Sequence, residues 1–189
     1  MAKSYLKGMS QKREMNEKLI EMEKYPMIRK AITKDASRLA EILIFAKRCA
    51  YRPIFKNDAV SFNELSVLEL ALHFRDDADA LNGIYVYDDG IVRGMMHIRE
   101  HSEAEKNLVL QLEELYVDPF FQKQGTGRLL MEDFLRKARE RKAESAFLWI
   151  LEKNTRARRF YETFGFKATG ERRIEPKTPE YLLKYELSF

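Results

Sequence analysis

The first segment whose residue types suggest chemistry is a short glycine-containing loop. It reads Gln122-Lys123-Gln124-Gly125-Thr126-Gly127, it follows a predicted strand, and Arg128 then begins a predicted helix. Two glycines separated by one residue allow a tight turn in which backbone N–H groups point outward, and a helix N-terminus adds partial positive charge. Lys123 and Arg128 add full charges. The loop therefore predicts an anion site, although a plain glycine turn at a helix start remains an alternative.

Two common phosphate-binding loops do not match this segment. A Walker loop ends in Gly-Lys-Ser/Thr, whereas Gly127 is followed by Arg128 and Leu129. A dinucleotide-binding fingerprint has a third glycine at the position that Leu130 occupies here. An anion bound at this loop would therefore be held by a motif of another class.

Two motifs around the loop resemble the signatures of a known family. The first runs over residues 112–127 as Leu-x-x-Leu-x-Val-x-Pro followed by Gln-x-x-Gly-x-Gly. The second runs over residues 154–166 as Asn-x-x-Ala-x-x-Phe-Tyr-x-x-x-Gly-Phe. In this order they resemble the GNAT superfamily of N-acetyltransferases, and the Glu-Lys-Asn lead-in to the second motif is similar to that of bacterial small-molecule, polyamine-type members.

The resemblance implies a fold and a cosubstrate. The fold is an α/β domain of the α+β kind, with flanking helices and a mixed, mostly antiparallel sheet whose fourth and fifth strands splay apart. Acetyl-CoA would lie in the cleft, with its pyrophosphate on residues 122–128. Main-chain groups of Leu115, Tyr116 and Val117 would pair with the pantetheine arm as an added strand does. Asn154 would cap the following helix and also contact that arm.

Acetyl transfer to an amine has three requirements. The amine must lose a proton, because an alkylammonium has a pKa of ~10. The thioester oxygen gains charge and needs a donor, and the departing thiolate benefits from a proton. By resemblance, the Val117 N–H polarises the carbonyl, and Tyr161 binds near the sulfur as the general acid. Tyr161 also lies at helical spacing from Phe160 and Phe164, so a packed core tyrosine is an alternative.

The general base is predicted on the strand before the loop. Glu113 and Glu114 are adjacent, so their side chains point to opposite faces of a sheet unless a bulge intervenes. Relatives often place a carboxylate on this strand, and Gln111 occupies one such position. We favour Glu113 as the base, with a water relay as the alternative.

The predicted acceptor is the primary amine of a small molecule such as a polyamine, an amino acid or an aminoglycoside-like compound. The segment 50–55 is a candidate wall of its pocket. Direct transfer is favoured because Cys49 lies far from both motifs. His97 and His101 are ~13 Å apart on a strand, too far to share a metal, and we expect none. Alternatives are acetylation of a protein N-terminus or lysine, and a non-catalytic acyl-CoA sensor.

Charge and composition give weaker indications. Seven basic residues against two acidic ones lie between Lys153 and Arg173, which suits either cofactor phosphates or nucleic acid; we expect no nucleic-acid partner. The longest apolar runs are far too short to span a bilayer, and the first 25 residues carry no secretory pattern. The single Cys49 fits a reducing compartment, so a cytoplasmic location is predicted, with a homodimer possible.

With 189 residues, the chain suits one domain with a full core. We expect a polar N-terminal extension over residues 1–25 and an N-acetyltransferase domain over residues 26–189. Residue periodicity within that domain predicts strands over 27–31, 83–87, 91–100, 108–117, 146–151 and 181–189, and helices after Asp35, over 63–74, 127–141 and 154–164.

Overall fold

The computed structural model describes residues 27–63, 66–103 and 106–189, so the predicted extension 1–25 lies outside the described residues. Seven strands form one sheet: β1 Ile28–Lys30, β2 Ile84–Asp88, β3 Val92–Glu103, β4 Lys106–Val117, β5 Ser145–Leu151, β6 Lys167–Ile174 and β7 Tyr181–Ser188. The α-helices of the described part are α1 Ala36–Phe55, α2 Val67–Asp76, α3 Thr126–Glu140 and α4 Thr155–Glu162.

The sheet is antiparallel except at its centre. Its strand order is β1-β2-β3-β4-β5-β7-β6, and only β4 and β5 run parallel. Their pairing is limited to Val109–Gln111 against Ser145–Phe147, although β4 continues to Val117 and β5 to Leu151. The two strands therefore diverge beyond Gln111, which confirms the splayed, mostly antiparallel sheet that the resemblance implies.

A β-bulge interrupts β4 immediately after this point of divergence. Ile98 of β3 pairs with Leu112, whereas the preceding His97 pairs with Glu114, so Glu113 is the extra residue. A bulge of this kind shifts the alternation of side chains by one position. Glu113 contacts β3 side chains and Glu114 contacts α1, and both residues border the same large cavity. The bulge thus brings both carboxylates to one face of the sheet.

Two apolar cores cover the two faces. Side chains of α3 and α4 pack on one face, around Leu110, Leu112, Phe134 and Leu148. Side chains of α1 and α2 pack on the other face, around Leu39, Ile42, Val86 and Met95. Because α1 and α2 cover only part of their face, the glutamates of the bulge border open space between helices and sheet.

Most element predictions are confirmed, with three differences. Helix α1 continues through Pro53 to Phe55, and the N–H of Lys56 closes the last turn by donating to the carbonyl of Arg52 at 3.0 Å. The strand β6 was missed because all eight of its residues are exposed, so no apolar alternation marks it. The second helix begins at Val67 rather than at residue 63. No helix in the described ranges is both long and apolar enough to cross a membrane.

Candidate active site

A cleft of about 410 Å³ lies where β4 and β5 diverge. Its walls come from the end of β4, the loop before α3, the middle of β5 and one face of α4. They include these predicted site residues: Glu113, Leu115, Tyr116, Val117, Gln122, Lys123, Gly125, Gly127, Arg128, Asn154 and Tyr161. The structure therefore brings the two sequence motifs together around one space.

The loop before α3 has the geometry of an anion cradle. Gly125 has φ +92° and Lys123 has φ +63°, both in the left-handed region, so the chain turns sharply before α3 begins at Thr126. The side-chain amide of Gln122 donates to the Val117 carbonyl at 3.3 Å and ties the loop to the end of β4. The first N–H groups of a helix have no partner within it and are available to an acceptor. This backbone fits a phosphate or pyrophosphate group.

The edge of β4 that faces the cleft offers main-chain groups. The N–H of Asp118 donates to the carbonyl of Arg93 on the β3 side at 2.9 Å. Because backbone groups alternate in direction along a strand, the N–H groups of Val117 and Leu115 point the opposite way, toward the diverging β5. The same alternation turns the N–H of Tyr116 toward β3. The strand therefore presents Leu115 and Val117, but not Tyr116, to a ligand that adds as a strand.

Helix α4 places Asn154 and Tyr161 beside the cleft. The side-chain oxygen of Asn154 accepts from the N–H of Ala157 at 3.2 Å, which confirms the predicted cap. Tyr161 is 9% exposed, its ring packs edge-on against Phe160 and Phe166, and it lines the cleft. Burial raises the pKa of Tyr161, with a smaller contribution from Tyr51. Its hydroxyl is therefore a proton donor rather than a phenolate at neutral pH.

A second, larger cavity of about 1170 Å³ adjoins the cleft on the α1 and α2 side. Residues that border both spaces form a shared wall, which we call the junction: Tyr51, Glu113, Glu114, Tyr116 and Trp149. The larger cavity is bordered by six carboxylates and by three lysine or arginine side chains. The carboxylates belong to Glu69, Asp79, Glu100, Glu113, Glu114 and Glu175, and the cations to Lys47, Arg99 and Arg173.

Both junction glutamates form ion pairs. The carboxylate of Glu113 lies 2.9 Å from Nε of Arg99 and accepts from Nη2 of the same residue at 3.0 Å. It also lies 3.2 Å from Nδ1 of His97. Glu114 accepts from the ammonium of Lys47 at 3.0 Å. Burial alone lowers the pKa of Lys47, but the charge and the hydrogen bond of Glu114, with smaller contributions from Tyr51 and Glu175, together raise that pKa overall.

Two tyrosines form the side of the junction next to α1. The hydroxyl oxygens of Tyr51 and Tyr116 are 3.0 Å apart, and Lys47 lies over the Tyr116 ring. Burial raises the pKa of both hydroxyl groups. Tyr51 belongs to the segment 50–55 that was predicted as a pocket wall, and it is the residue of that segment that reaches both spaces. The pair therefore stays protonated and uncharged.

Several residues at the site were missed by sequence reasoning. Trp149 was assigned to the core, yet it is only partly buried and stacks under Arg173, whose Cζ is 4.3 Å from the ring centroid. Lys47 and His97 lie outside both sequence motifs. The one available signal for Trp149 was its position in β5, because Phe147 and Trp149 alternate with the buried residues of that strand and so share its other face.

The basic stretch between Lys153 and Arg173 does not form one patch. Arg156 lines the cleft, whereas Arg173 borders the larger cavity and Lys153 pairs with Glu180. The helix α4 and the strand β6 separate these residues. Of this stretch, Arg156 is the arginine positioned beside the predicted phosphate loop.

Two further predictions concern groups outside the cleft. Within residues 27–63, 66–103 and 106–189, no three His, Cys, Asp or Glu side chains are grouped as metal ligands. Cys49 is exposed and borders neither cavity. The side chains of Gln124 and Thr126 do not border the cleft either, so any contribution from these two residues would come from the backbone.

Comparisons with known proteins agree with this geometry. The family model described as "Acetyltransferase (GNAT) family" matches residues 45–166. A spermine/spermidine N(1)-acetyltransferase of Bacillus subtilis strain 168 is 30% identical over 120 residues, covering 59% of this chain and 78% of that protein.

Solved structures share the fold. The PaiA N-acetyltransferase of Thermoplasma acidophilum in complex with coenzyme A aligns with a TM-score of 0.63 and 16% identity, covering 86% of this chain and 98% of that chain. Arabidopsis thaliana Naa50 with a bisubstrate analogue aligns with a TM-score of 0.60 and 18% identity, covering 86% and 97%. Together with the matched family model and the cleft between the diverging strands, these findings identify the chain as a member of the GNAT family and an acetyl-CoA-dependent N-acetyltransferase.

Proposed function

We propose that this enzyme transfers the acetyl group of acetyl-CoA directly to a primary amine of a small, polyamine-like molecule. The observation that carries the proposal is the junction, where the cleft with the anion cradle adjoins a cavity bordered by six carboxylates. Two binding spaces that meet at one wall suit a reaction in which two substrates react without an acyl-enzyme intermediate.

The cleft suits the cosubstrate. Residues 122–128 would hold the pyrophosphate through backbone N–H groups and the positive charges of Lys123 and Arg128. Leu115 and Val117 would pair with the pantetheine arm, because their N–H groups point into the cleft. Asn154 would contact the same arm from the start of α4. Bound there, acetyl-CoA supplies an activated thioester.

The larger cavity suits a cationic acceptor. Carboxylates outnumber lysine and arginine side chains by two to one around it, so its potential favours an amine with several positive charges. Trp149 and Tyr51 add aromatic faces that can contact alkyl segments or ammonium groups. The Bacillus relative is named as a spermine and spermidine acetyltransferase, which is consistent with an acceptor of this class.

The residues around the junction provide the required catalytic groups. The Val117 N–H would donate to the carbonyl oxygen as it gains charge, and the Tyr161 hydroxyl would protonate the departing sulfur. A tyrosine is protonated at neutral pH in any case, and burial raises the pKa of Tyr161 further, so its hydroxyl carries the proton in the resting enzyme. Glu113 would remove the proton from the ammonium, either directly or through an intermediary such as a water molecule.

A panel of acceptors tests the substrate class. Release of CoA would be measured with spermidine, spermine, single amino acids, an aminoglycoside and short peptides with free N-termini. We expect kcat/KM to be at least tenfold higher for the polyamines than for the peptides. A preference for peptides would instead indicate a protein acetyltransferase, and tight acetyl-CoA binding without turnover on any amine would indicate a sensor.

Three features outside the site remain predictions. These are a cytoplasmic location, a possible homodimer, and the division of the chain into residues 1–25 and 26–189. Fractionation of cells, sedimentation of the purified protein and limited proteolysis test them in turn.

A further inference from the structure

His97 borders the larger cavity, and one of its two ring nitrogens has a side-chain partner. Its Nδ1 lies 3.2 Å from the Glu113 carboxylate, and its side chain is 22% exposed. Its Cδ2 faces the backbone of Gly83, where an added Cβ would be 3.3 Å away. No hydrogen bond from the described part of the chain occupies Nε2. The Nδ1 side of the imidazole thus faces Glu113, and Nε2 has no partner among the described residues.

Glu113 is poorly suited to accept a proton itself. Both of its oxygens are shared with the guanidinium of Arg99, and one also faces His97. The two carboxylate oxygens are thus already occupied by two donors of one guanidinium in a forked arrangement. The same carboxylate lies 3.2 Å from Nδ1, and a negative charge there favours the tautomer with its proton on Nδ1 and its lone pair on Nε2.

We propose that Nε2 of His97 accepts the proton that the acceptor ammonium loses, and that Glu113 is the positioning residue that orients the ring. This proposal rests on the proposed function and identifies the proton acceptor of the same reaction. It replaces direct proton transfer to Glu113 with transfer to its neighbour on β3. His97 borders the larger cavity, where the amine is expected, and Glu113 borders both spaces.

The proton balance of the reaction is complete with these groups. An N–H bond of the ammonium breaks, its electron pair stays on nitrogen, and the proton moves to His97. The neutral nitrogen attacks the carbonyl carbon, and the carbon–sulfur bond breaks with its pair on sulfur. Tyr161 protonates the sulfur and regains a proton from the same nitrogen. His97 then passes its proton to water, so the products are an amide, a thiol and one proton.

Charged groups face His97 from several elements of the fold. Glu113 and Glu114 face it from β4, and Arg99 lies on its own strand. Other titratable groups border the same cavity from the surrounding elements: Lys47 of α1, Glu69 and His73 of α2, Asp79 of the turn before β2, Glu100 of β3, and Arg173 and Glu175 around the end of β6. Carboxylates outnumber the lysine and arginine side chains among these groups.

The test compares the pH dependence of kcat/KM for wild type and His97→Gln. In wild type, a His97 that is already protonated can accept no proton from the amine. We therefore expect kcat/KM to fall at acid pH, and this acid limb reflects the enzyme rather than the amine. In His97→Gln, we expect about a 100-fold lower rate at neutral pH. We also expect activity to rise tenfold per pH unit toward the pKa of the amine, because only neutral amine then reacts.

An amine of low pKa gives a second readout. Such an amine is already neutral at the assay pH, so it needs no base, and His97→Gln should lose less than fivefold with it. A merely structural role would lower activity on both amines equally. Glu113→Gln should shift the acid limb to lower pH, because the imidazolium loses a neighbouring negative charge.

His101→Gln is the matched control, because His101 lies on the same strand, bonds to Gln111 at 2.9 Å and borders neither cavity. It should leave both readouts unchanged. Wild type without amine-dependent CoA release would contradict the proposed function. The role of His97 alone would be overturned if wild type turns over but His97→Gln keeps the acid limb. The same holds if His97→Gln loses activity by the same factor on both amines.

Discussion

The chemistry of single residues at the cleft depends on burial. Tyr161 lies on α4 among Phe160, Phe164 and Phe166, and the same packing that suggested a plain core tyrosine raises the pKa of its hydroxyl. The two alternatives left open by the sequence are therefore compatible, because a tyrosine can line the cleft with its hydroxyl while its ring belongs to the core. The residue that packs is also the residue that can donate a proton.

Tyr161→Phe should lower kcat about 100-fold, because the departing thiolate loses its proton donor, while leaving the Kd for acetyl-CoA within twofold. Steady-state kinetics and isothermal titration calorimetry measure the two quantities. Tyr87→Phe is the control, since it removes the hydroxyl of a buried tyrosine that borders neither space. A kcat for Tyr161→Phe close to that of wild type would rule out its role as the acid.

At the scale of elements, the loop before α3 and the bulge in β4 determine the site. Gly125 has φ +92°, and a Cβ there would meet no atom within 4 Å, so glycine is required by conformation rather than by space. The bulge at Glu113 turns an alternating strand into one that presents two carboxylates to the same cavity. In the loop the backbone geometry depends on Gly125, and in β4 it depends on Glu113. The geometry of the active site depends on these two residues.

Gly125→Ala should raise the Kd for acetyl-CoA about tenfold, because a left-handed alanine costs about 1–2 kcal/mol and relaxation of the turn moves the backbone N–H groups. Gly90→Ala is a matched control, since Gly90 also has a positive φ, of +103°, and open space where a Cβ would be added, but lies in the turn between β2 and β3. It should destabilise the fold similarly and leave the Kd unchanged. Equal Kd values for both variants would show that the loop does not hold the cosubstrate.

The sequence predicted elements where a pattern has a local physical cause. Asn154 as a helix cap, the glycine loop and the apolar strand β5 all follow from neighbouring residues. The bulge did not, because Glu113-Glu114 reads as ordinary alternation until pairing with β3 is known. Trp149, Lys47 and His97 were missed for the same reason, since each reaches the site only through tertiary packing of its strand or helix. The exposed β6 carries no alternation to detect.

At the scale of the whole molecule, an ion-pair cluster joins β1, the segment before α1 and the end of β2. Arg29 of β1 binds Asp35, which precedes α1, at 2.7 Å, and Asp88 at the end of β2 at 2.7 Å. Burial by itself raises the pKa of Asp35, but the hydrogen bonds from Arg29 and from the Ile32 N–H lower that pKa overall. The cluster fixes the position of α1, whose later turns carry Lys47 and Tyr51 to the junction.

Asp35→Asn should lower the free energy of unfolding by about 1–2 kcal/mol at pH 7, since a buried carboxylate loses its charge-assisted partners. The folded pKa lies below the unfolded value of ~3.9, so this stabilisation is present above that value and is lost as pH falls through the folded pKa. Denaturant unfolding at pH 7 and at acid pH measures the difference. Asp76→Asn, at a fully exposed pair with Arg75, should not change stability measurably, and a pH-independent loss in Asp35→Asn would contradict this account.

The measurement that tests the central claim most directly is stoichiometry in a single reaction mixture. Enzyme, acetyl-CoA and spermidine would be incubated together, and free CoA thiol and N-acetylated amine would be quantified by mass spectrometry at the same time points. We predict equal amounts of the two products, with release of CoA that depends on the amine and no acetylated enzyme. Release of CoA that spermidine does not accelerate, or an acetylated protein in place of an acetylated amine, would contradict direct transfer at the junction.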